Sequence, residues 1–279
     1  MAVTAGGPAA VSRLTKAPSG EYIDTMHLAI DIGNTNTVVG VFKGETLKDH
    51  FRVASNRTMT SDEAGFFITG LLERMKIANE EIDRVSIASV VPPLTPVFER
   101  TAKKWFGCIP VFVSDHVKLP IKIIIDQPDQ LGADRIANGV AAFQKFGGPV
   151  IVVDFGTTTN FDVVDASGNY LGGVLIPGPE TSMSELARKA ARLFEVRIEP
   201  PDRVIGRSTA GALKSGLFYG TVGQVDYLIE KIIAEAGFNN ARVIATGGLA
   251  DGFEKHSRFI KLIEPTLTLE GIRLIGEMN

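Results

Sequence analysis

Two short turns in this chain of 279 residues repeat the same spacing of Asp, Gly and Thr. The first reads DIGNT and begins at Asp31; the second reads DFGTT and begins at Asp154. Glycine lets backbone N–H groups approach a phosphate closely, threonine and asparagine offer short polar groups, and a carboxylate can hold a hydrated cation. One such turn could be an ordinary hairpin. The matched pair instead indicates two half-domains that face one nucleoside triphosphate.

Asp134 and Arg135 stand together at the predicted start of a helix. A structural interpretation makes Asp134 a helix cap and leaves Arg135 exposed. A functional interpretation places the carboxylate near a substrate hydroxyl and the guanidinium near a substrate carboxylate. A helix N-terminus lowers the pKa of a carboxyl group, so Asp134 is expected to stay ionised at neutral pH. Such a weak base can orient a hydroxyl and accept its proton late, which is sufficient for phosphoryl transfer.

The elements that position these residues follow from apolar runs and their periodicity. Each turn follows a short apolar run and precedes β-prone sequence, so each is predicted to join two strands. Thr60 and Glu63 have capping-box spacing before a helix. The first half is predicted to contain strands 27–32, 36–42, 47–54, 84–91 and 109–113, with helices 61–76, 96–106 and one that opens within 131–136 and runs to about 146. The second half is predicted to contain strands 150–154, 159–165, 170–176 and 242–246, with helices 180–194, 208–236 and 268–277.

The order β-β-β-α-β-α therefore occurs twice, which predicts an α/β protein with two similar lobes of mixed sheet and flanking helices. Residues 1–25 lack periodicity and are predicted to be a disordered leader or tag, with the folded chain beginning at Met26. The Gly147-Gly148-Pro149 stretch is a predicted hinge. It divides the chain into an N-terminal lobe, 26–146, and a C-terminal lobe, 147–279, with a cleft between them.

Composition excludes several classes of function. The net charge is −3 and no basic run accompanies aromatic residues, so nucleic acid is not an expected partner. No apolar stretch approaches ~20 residues, so no membrane span is expected. Cys108 is the one cysteine, which excludes an internal disulfide and fits a cytoplasmic setting. The sequence contains neither a Walker A pattern nor G-x-G-x-x-G, which argues against P-loop and Rossmann folds.

Further motifs extend the pattern of the two turns: SVVPPLTP at 89–96, GADR at 132–135, PG at 177–178, IGRST at 205–209 and TGGL at 246–249. Together these motifs resemble those of the type III pantothenate kinases, members of the actin, sugar kinase and Hsp70 superfamily. The resemblance covers nearly the whole chain from Met26 onward. It implies duplicated actin-like ATPase (ribonuclease H-like) domains and ATP-dependent phosphorylation of pantothenate to 4'-phosphopantothenate, the first step of coenzyme A biosynthesis.

The resemblance also implies roles for particular residues. Asp134 is expected to be the catalytic proton acceptor, Asp154 to hold a monovalent cation (K⁺ or NH₄⁺), and Asp31 to organise Mg²⁺ through water. A homodimer is implied, with the substrate pocket near the subunit interface. The expected ATP-binding residues are Asp31, Ile32, Gly33, Asn34, Thr35, Asn36, Thr37, Val38 and Thr157. The expected pantothenate-binding residues are Gly132, Ala133, Asp134, Arg135, Thr209 and Ile125.

Ile125 is a departure from the family pattern, because family members often carry a tyrosine there that lines the pantothenate pocket. Losing one hydroxyl contact would cost about 0.5–1.5 kcal/mol of binding. Three other classes of function stay open at this stage. They are a non-catalytic regulatory (transcription accessory) homologue, a phosphohydrolase of the same superfamily, and an ATP-driven electron-transfer activator. The last would need cluster-binding cysteines, and the second would need wide basic surfaces.

Overall fold

The structure is a computed structural model that describes residues 26–279. The prediction for residues 1–25 lies outside this part of the chain. Among the described residues, no helix is long and apolar enough to cross a membrane.

The first sheet has five strands, and the first acidic-glycine turn joins two of them, β1 and β2. It runs in the order β3-β2-β1-β4-β5, with β1 antiparallel to β2 and parallel to β4. Its strands are β1 (Met26–Ile32), β2 (Asn36–Lys43), β3 (Thr46–Ala54), β4 (Ile82–Ser89) and β5 (Val111–Phe112). Helices α1 (Ser61–Arg74) and α2 (Thr95–Phe106) cover one face of it.

The second sheet has six strands and repeats the same arrangement. Its order is β11-β10-β7-β8-β9-β6, again with the central strand β7 antiparallel to the next strand and parallel to a later one. The strands are β6 (Lys122–Ile123), β7 (Val150–Phe155), β8 (Thr158–Val164), β9 (Asn169–Pro177), β10 (Arg242–Thr246) and β11 (Leu262–Ile263). The predicted duplication of a mixed-sheet lobe is therefore confirmed.

Two helices lie between the sheets and hold them together. Helices α3 (Ala133–Phe146) and α7 (Leu267–Met278) pack on each other, and their apolar residues share one buried core with residues from both sheets. On the far side of the second sheet lie α5 (Thr209–Ala236) and α6 (Ala250–Phe253), with a separate core. Helix α4 (Pro179–Lys189) follows β9 directly. The layers run α1/α2, first sheet, α3/α7, second sheet, α5.

The predicted capping box of α1 is confirmed, since Thr60 Oγ1 accepts from the backbone N–H of Glu63 at 3.2 Å and the Glu63 carboxylate accepts from the backbone N–H of Thr60 at 2.7 Å. Helix 180–194 was predicted too long, because α4 ends at Lys189. Phe194 is 51% exposed and so contributes little apolar packing that would favour a longer helix.

The proposed boundary between lobes at 146/147 assigns the central strands β1 and β7 to different lobes, but it does not assign every element to the sheet on which that element packs. Strand β6 precedes that boundary and pairs with β9 of the second sheet, whereas α7 follows it and packs on β1 and β4 of the first. The boundary itself stays a prediction. The two lobes share the α3/α7 layer, so the ends of β1 and β7 are held in a fixed relation across it.

Candidate active site

Asp31 and Asp154 occupy equivalent places in the two sheets. Each is the second-last residue of a central strand whose other residues are buried. Asp31 pairs with Ala88 of β4, and Asp154 pairs with Thr246 of β10, so each aspartate lies where a parallel neighbour ends. The carboxyl ends of parallel strands are where α/β proteins bind ligands.

The two acidic-glycine turns meet directly. Thr35 Oγ1 and Thr157 Oγ1 form a hydrogen bond of 2.9 Å across 122 positions of sequence. A cavity of about 220 Å³ lies beside this contact and is lined by all three aspartates singled out from the sequence: Asp31, Asp134 and Asp154. A second cavity of about 550 Å³ adjoins it and shares Thr35 and Thr157 among its lining residues. The two turns and Asp134 thus face one continuous cleft.

Each turn is braced by a residue that follows it in the chain. Ser55, at the end of β3, donates its hydroxyl to the carbonyl of Gly33 at 2.6 Å and its N–H to the carbonyl of Thr35 at 2.9 Å. Thr181, in the first turn of α4, donates its hydroxyl to the carbonyl of Thr157 at 2.6 Å. The N–H groups of Gly33 and Gly156 are themselves bonded within the turns, so these contacts together fix the shape of each turn.

Gly156 has room beside it that the chain does not use. A Cβ built there would meet Thr158 O at 3.5 Å and Asp154 Oδ1 at 3.9 Å, which are ordinary contacts. Its φ is not in the left-handed region. Neither packing nor backbone conformation within the described chain therefore requires glycine here. The open space lies on the cleft, where a phosphate would need close access to the backbone.

The cleft raises the pKa of its carboxyl groups. Burial, together with the charges of Asp134 and Asp154, raises the pKa of Asp31 to about 8. Burial, together with the charge of Asp134, raises the pKa of Asp154 to about 7. Carboxylates crowded in a desolvated site hold protons unless a cation joins them. The site is therefore electrostatically suited to cation binding.

The expectation that the helix N-terminus lowers the pKa of Asp134 is wrong. Burial raises this pKa, and it outweighs the hydrogen bond from the backbone N–H of Arg135 and the Arg135 charge. Asp134 does not cap α3 either, because the N-cap residue of this helix is Gly132. Asp134 Oδ1 instead accepts a hydrogen bond from the N–H of Arg135 at 2.8 Å. A carboxyl group with a raised pKa is a stronger base when it is ionised.

Arg135 is not exposed, contrary to the structural interpretation. Its Nε donates to Asp162 Oδ1 at 2.7 Å, and its Nη2 donates to the carbonyl of Phe161 at 3.3 Å. Tyr170 donates its hydroxyl to the same Asp162 oxygen at 2.6 Å. A Cβ at Gly173 would lie 2.5 Å from Arg135 Nη2, so the guanidinium passes under a glycine of β9. Arg135 is thus held in one orientation by a buried carboxylate.

The remaining predicted site residues divide into three groups. Gly33, Asn34, Thr35, Asn36 and Val38 line the cleft with Thr157, whereas the side chains of Ile32 and Thr37 are buried within the lobe. Gly132 and Ala133 lie at the start of α3, and Ile125 packs against the core between the sheets. Thr209 is exposed at the first position of α5, whose N-cap is Ser208, and it does not line the cleft.

Several cleft residues were not found from the sequence. Arg52 of β3 lines both cavities, and a Cβ at Gly248 would lie 3.3 Å from its Nη1. Thr268 and Leu269 also line the cleft. Arg52 alternates with half-buried positions along an amphipathic strand, so its sequence context is that of any solvent-facing residue. Only the packing of the two lobes brings it opposite Gly248.

Within residues 26–279, no three His, Cys, Asp or Glu side chains form a cluster that could cage a metal ion. Asp31 and Asp154 offer hard oxygen donors, and Mg²⁺ commonly binds through one or two carboxylates plus substrate phosphates.

Comparison with known proteins adds a family to this geometry. A profile described as type III pantothenate kinase matches residues 27–231. A type III pantothenate kinase of Acidothermus cellulolyticus is 47% identical over 255 residues, 91% of this chain and 99% of the relative. That of Frankia alni is 48% identical over 255 residues, 91% of this chain and all of the relative.

Solved structures share the fold at low identity. An activator of 2-hydroxyisocaproyl-CoA dehydratase from Clostridium difficile, with bound ADPNP, is 11% identical with a TM-score of 0.54, covering 90% of this chain and 94% of its own. A ROK family glucokinase from Streptomyces griseus, in complex with glucose and AMPPNP, is 11% identical with a TM-score of 0.50, covering 91% and 100%. At such identity the likeness extends to architecture alone, which is that of actin-like ATPases and sugar kinases.

Proposed function

This chain belongs to the type III pantothenate kinase family, and from that premise we propose that the cleft between its two acidic-glycine turns is the active site. The enzyme transfers the γ-phosphoryl group of ATP to pantothenate, giving 4'-phosphopantothenate, the first step of coenzyme A biosynthesis. The observation that carries the placement is the 2.9 Å contact of Thr35 with Thr157, beside which three aspartates line one cavity.

The two turns bind the triphosphate of ATP. Backbone N–H groups of the two turns stabilise charge that develops on the transferring group. Arg52 faces the same space, and a guanidinium suits phosphate oxygens well. Its charge favours the ionised forms of Asp31 and Asp154. Arg52 therefore offsets part of the negative charge that ATP meets on entering a cleft of three carboxylates.

Asp31 would hold Mg²⁺ through water, and Asp154 would hold the monovalent cation, K⁺ or NH₄⁺. When bound, these cations would neutralise charge on the phosphates and on the transferring group. Burial and neighbouring carboxylates raise the pKa of both carboxyl groups, and cations would favour their ionised forms, which supports these roles.

Asp134 orients the primary hydroxyl of pantothenate and accepts its proton. It lies in the first turn of α3 and lines the cavity that holds Asp31 and Asp154. Arg135 anchors the carboxylate of pantothenate with the guanidinium N–H groups that its bonds to Asp162 and Phe161 leave available. Asp162 and Tyr170 fix the guanidinium plane, so the acid end of the substrate meets a pre-oriented donor.

The enzyme acts as a homodimer. Thr209, expected at the substrate carboxylate, does not line the cleft of its own chain and is exposed on the surface. Leu171 and Leu175 of β9, the strand under which Arg135 passes, are 37% and 54% exposed. A second copy packed against these two leucines would cover apolar surface close to the Arg135 side of the site.

A coupled assay of ADP release tests this function. ADP release that requires pantothenate, with K⁺ present and Mg²⁺ in excess, is the expected result. ADP release without pantothenate would indicate a hydrolase, and none under any condition would return the regulatory alternative, which the names of the relatives do not favour. Replacing K⁺ with Na⁺ at constant ionic strength tests the cation separately, because unchanged rates would remove that role from Asp154.

A further inference from the structure

We propose that Asn138 is the positioning residue of the monovalent cation site, and that Thr268 fixes Asn138 in turn. Neither residue belongs to the motifs that identify the family in this sequence. Both are brought to Asp154 by the packing of α3 against α7. The inference rests on the proposed role of Asp154 as the carboxylate that holds the monovalent cation.

A chain of two hydrogen bonds ends on Asp154. Thr268 Oγ1 donates to Asn138 Oδ1 at 2.7 Å, and Asn138 Nδ2 donates to Asp154 Oδ2 at 3.1 Å. Asn138 is fully buried, so no water competes for its amide. A buried side chain that is hydrogen-bonded at both of its polar atoms is held in one rotamer, and it restricts its neighbours more than an exposed side chain does.

The direction of the Asn138 amide follows from its two neighbours. If the amide were turned over, its oxygen would face Asp154 Oδ2, and two acceptors would meet once Asp154 is ionised. The observed direction gives the carboxylate a donor and gives Thr268 an acceptor. By donating to Oδ2, Asn138 favours the ionised form of Asp154, which burial disfavours. The other carboxylate oxygen, Oδ1, takes no part in this hydrogen bond.

The other carboxylate oxygen, Asp154 Oδ1, lies toward the Gly247 turn. A Cβ at Gly247 would be 2.5 Å from Oδ1, so the turn approaches this oxygen closely, and Gly247 lines the cleft. With Oδ2 bonded to Asn138, Oδ1 is the oxygen available to a cation on the cleft side. Partners of this kind, which orient a metal ligand from behind, commonly contribute 10- to 100-fold to metal affinity.

The close crossing of α3 and α7 allows these two hydrogen bonds to form. A Cβ at Gly271 of α7 would lie 2.0 Å from the carbonyl of Ala137, so the two backbones touch where a side chain could not fit. Thr268 lies one turn before Gly271, and Asn138 directly follows Ala137. The close crossing therefore brings Thr268 onto Asn138. Asp134 lies one turn earlier on the same helix, so α3 carries the proposed base and the support of the cation ligand together.

The test measures K⁺ binding and turnover in Asn138→Leu, Thr268→Val and a matched control, Thr266→Val. Leucine keeps the branched shape of asparagine, although it is larger, and it cannot donate to Asp154. Thr266 is on the same segment as Thr268, yet its hydroxyl bonds to Glu270 Oε1 and not to Asn138. Binding is read from the rise in unfolding temperature with K⁺ at constant ionic strength and saturating MgADP, which reports affinity without any turnover.

In Asn138→Leu, the K⁺ concentration for half-maximal stabilisation and for half-maximal activity is expected to rise by about 10-fold or more. The KM for pantothenate is expected to stay within about twofold. Thr268→Val removes only the outer bond, so a smaller shift of the same kind is expected, and this milder variant keeps the test decisive if leucine impairs folding. Thr266→Val is expected to match the wild type.

An unshifted K⁺ constant in folded Asn138→Leu or Thr268→Val, with or without a loss of kcat, would overturn the inference, because a purely structural role lowers stability or kcat alone. A wild-type enzyme that phosphorylates pantothenate without any response to K⁺ would overturn it as well, together with the cation role of Asp154. A wild-type enzyme without pantothenate-dependent turnover would instead contradict the proposed function.

Discussion

At the scale of single residues, Asp31 and Asp154 hold protons near neutral pH because burial and neighbouring carboxylates disfavour their charged forms, placing their pKa values at about 8 and about 7. Each folded-state pKa exceeds the ordinary value of 3.8. The stability that protonation provides is therefore fully present below about pH 4 and is lost as pH rises through 7 to 8 in the ligand-free protein. Cation and nucleotide binding reverse this loss, because they favour the ionised carboxylates.

Proton release on nucleotide binding follows from these pKa values. Binding of MgADP in K⁺ buffer at pH 7 is expected to release protons, because cations drive the partly protonated carboxyl groups to ionise. Titration calorimetry in two buffers of different ionisation enthalpy measures the release. It should decline towards pH 9, where Asp31 is already ionised, and it should be smaller in Asp31→Asn than in the exposed control Asp62→Asn. Proton uptake at pH 7 would contradict this assignment.

At the scale of elements, helix α7 ties the first sheet to the site. Its Gly276 packs where a Cβ would be 1.9 Å from Ser86 Oγ and 2.8 Å from His27 Cε1. His27 and Ser86 form a buried hydrogen bond of 2.9 Å between β1 and β4. Burial, together with Arg84 and Arg273, lowers the pKa of His27 to about 3, so the imidazole is neutral beneath α7. The C-terminal end of α7 is thereby seated on the two strands that lead to the active site.

Gly276→Ala is expected to destabilise the fold by about 1–3 kcal/mol, the usual cost of forcing extra volume into a packed site. Gly70→Ala is the control, since a Cβ there meets nothing within 4 Å on the exposed face of α1. That change is expected to stabilise by about 0.5–1 kcal/mol through helix propensity. Urea unfolding followed by circular dichroism measures both. Equal stabilities of the two variants would show that α7 is not seated as described.

The elements near the turns could be predicted from sequence because their signals are local. Apolar runs ending in Asp-x-Gly predicted β1 and β7, and Thr60 with Glu63 predicted the start of α1. The contacts that tune the site could not be predicted in this way. The pKa of Asp134 depends on burial by distant residues, and the Asn138–Thr268 bond spans 130 positions. Such features arise only when the lobes pack.

At the scale of the whole molecule, the two lobes repeat one arrangement, but their sheets are not identical. Helices α3 and α7 form the shared layer, and only the second sheet gains an added strand, β6. That strand pairs with β9, in which Leu171 and Leu175 are exposed. The two leucines therefore lie on the lobe that holds Asp162 and the Arg135 guanidinium, where we propose that a second subunit completes the substrate pocket.

Sedimentation of Leu175→Glu tests the dimer. The wild type is expected to have about twice the chain mass of 29.9 kDa, and the variant about the mass of one chain, because a buried charge at an apolar interface is costly. Phe66→Glu, on α1 and 76% exposed, is the control and should remain dimeric. Loss of the dimer should also raise the KM for pantothenate. A Leu175→Glu dimer with wild-type activity would exclude this face as the interface.

The central claim is that two turns from opposite lobes hold one nucleotide while Asp134 serves the acceptor hydroxyl. Pantothenate-dependent ADP release by Asp134→Asn, compared with the wild type, tests it most directly, because the change keeps the shape and removes the base. Turnover should fall by ~10²-fold or more, the range for a positioned acid–base group, with MgADP affinity nearly unchanged. A variant that binds nucleotide and turns over at the wild-type rate would contradict the claim.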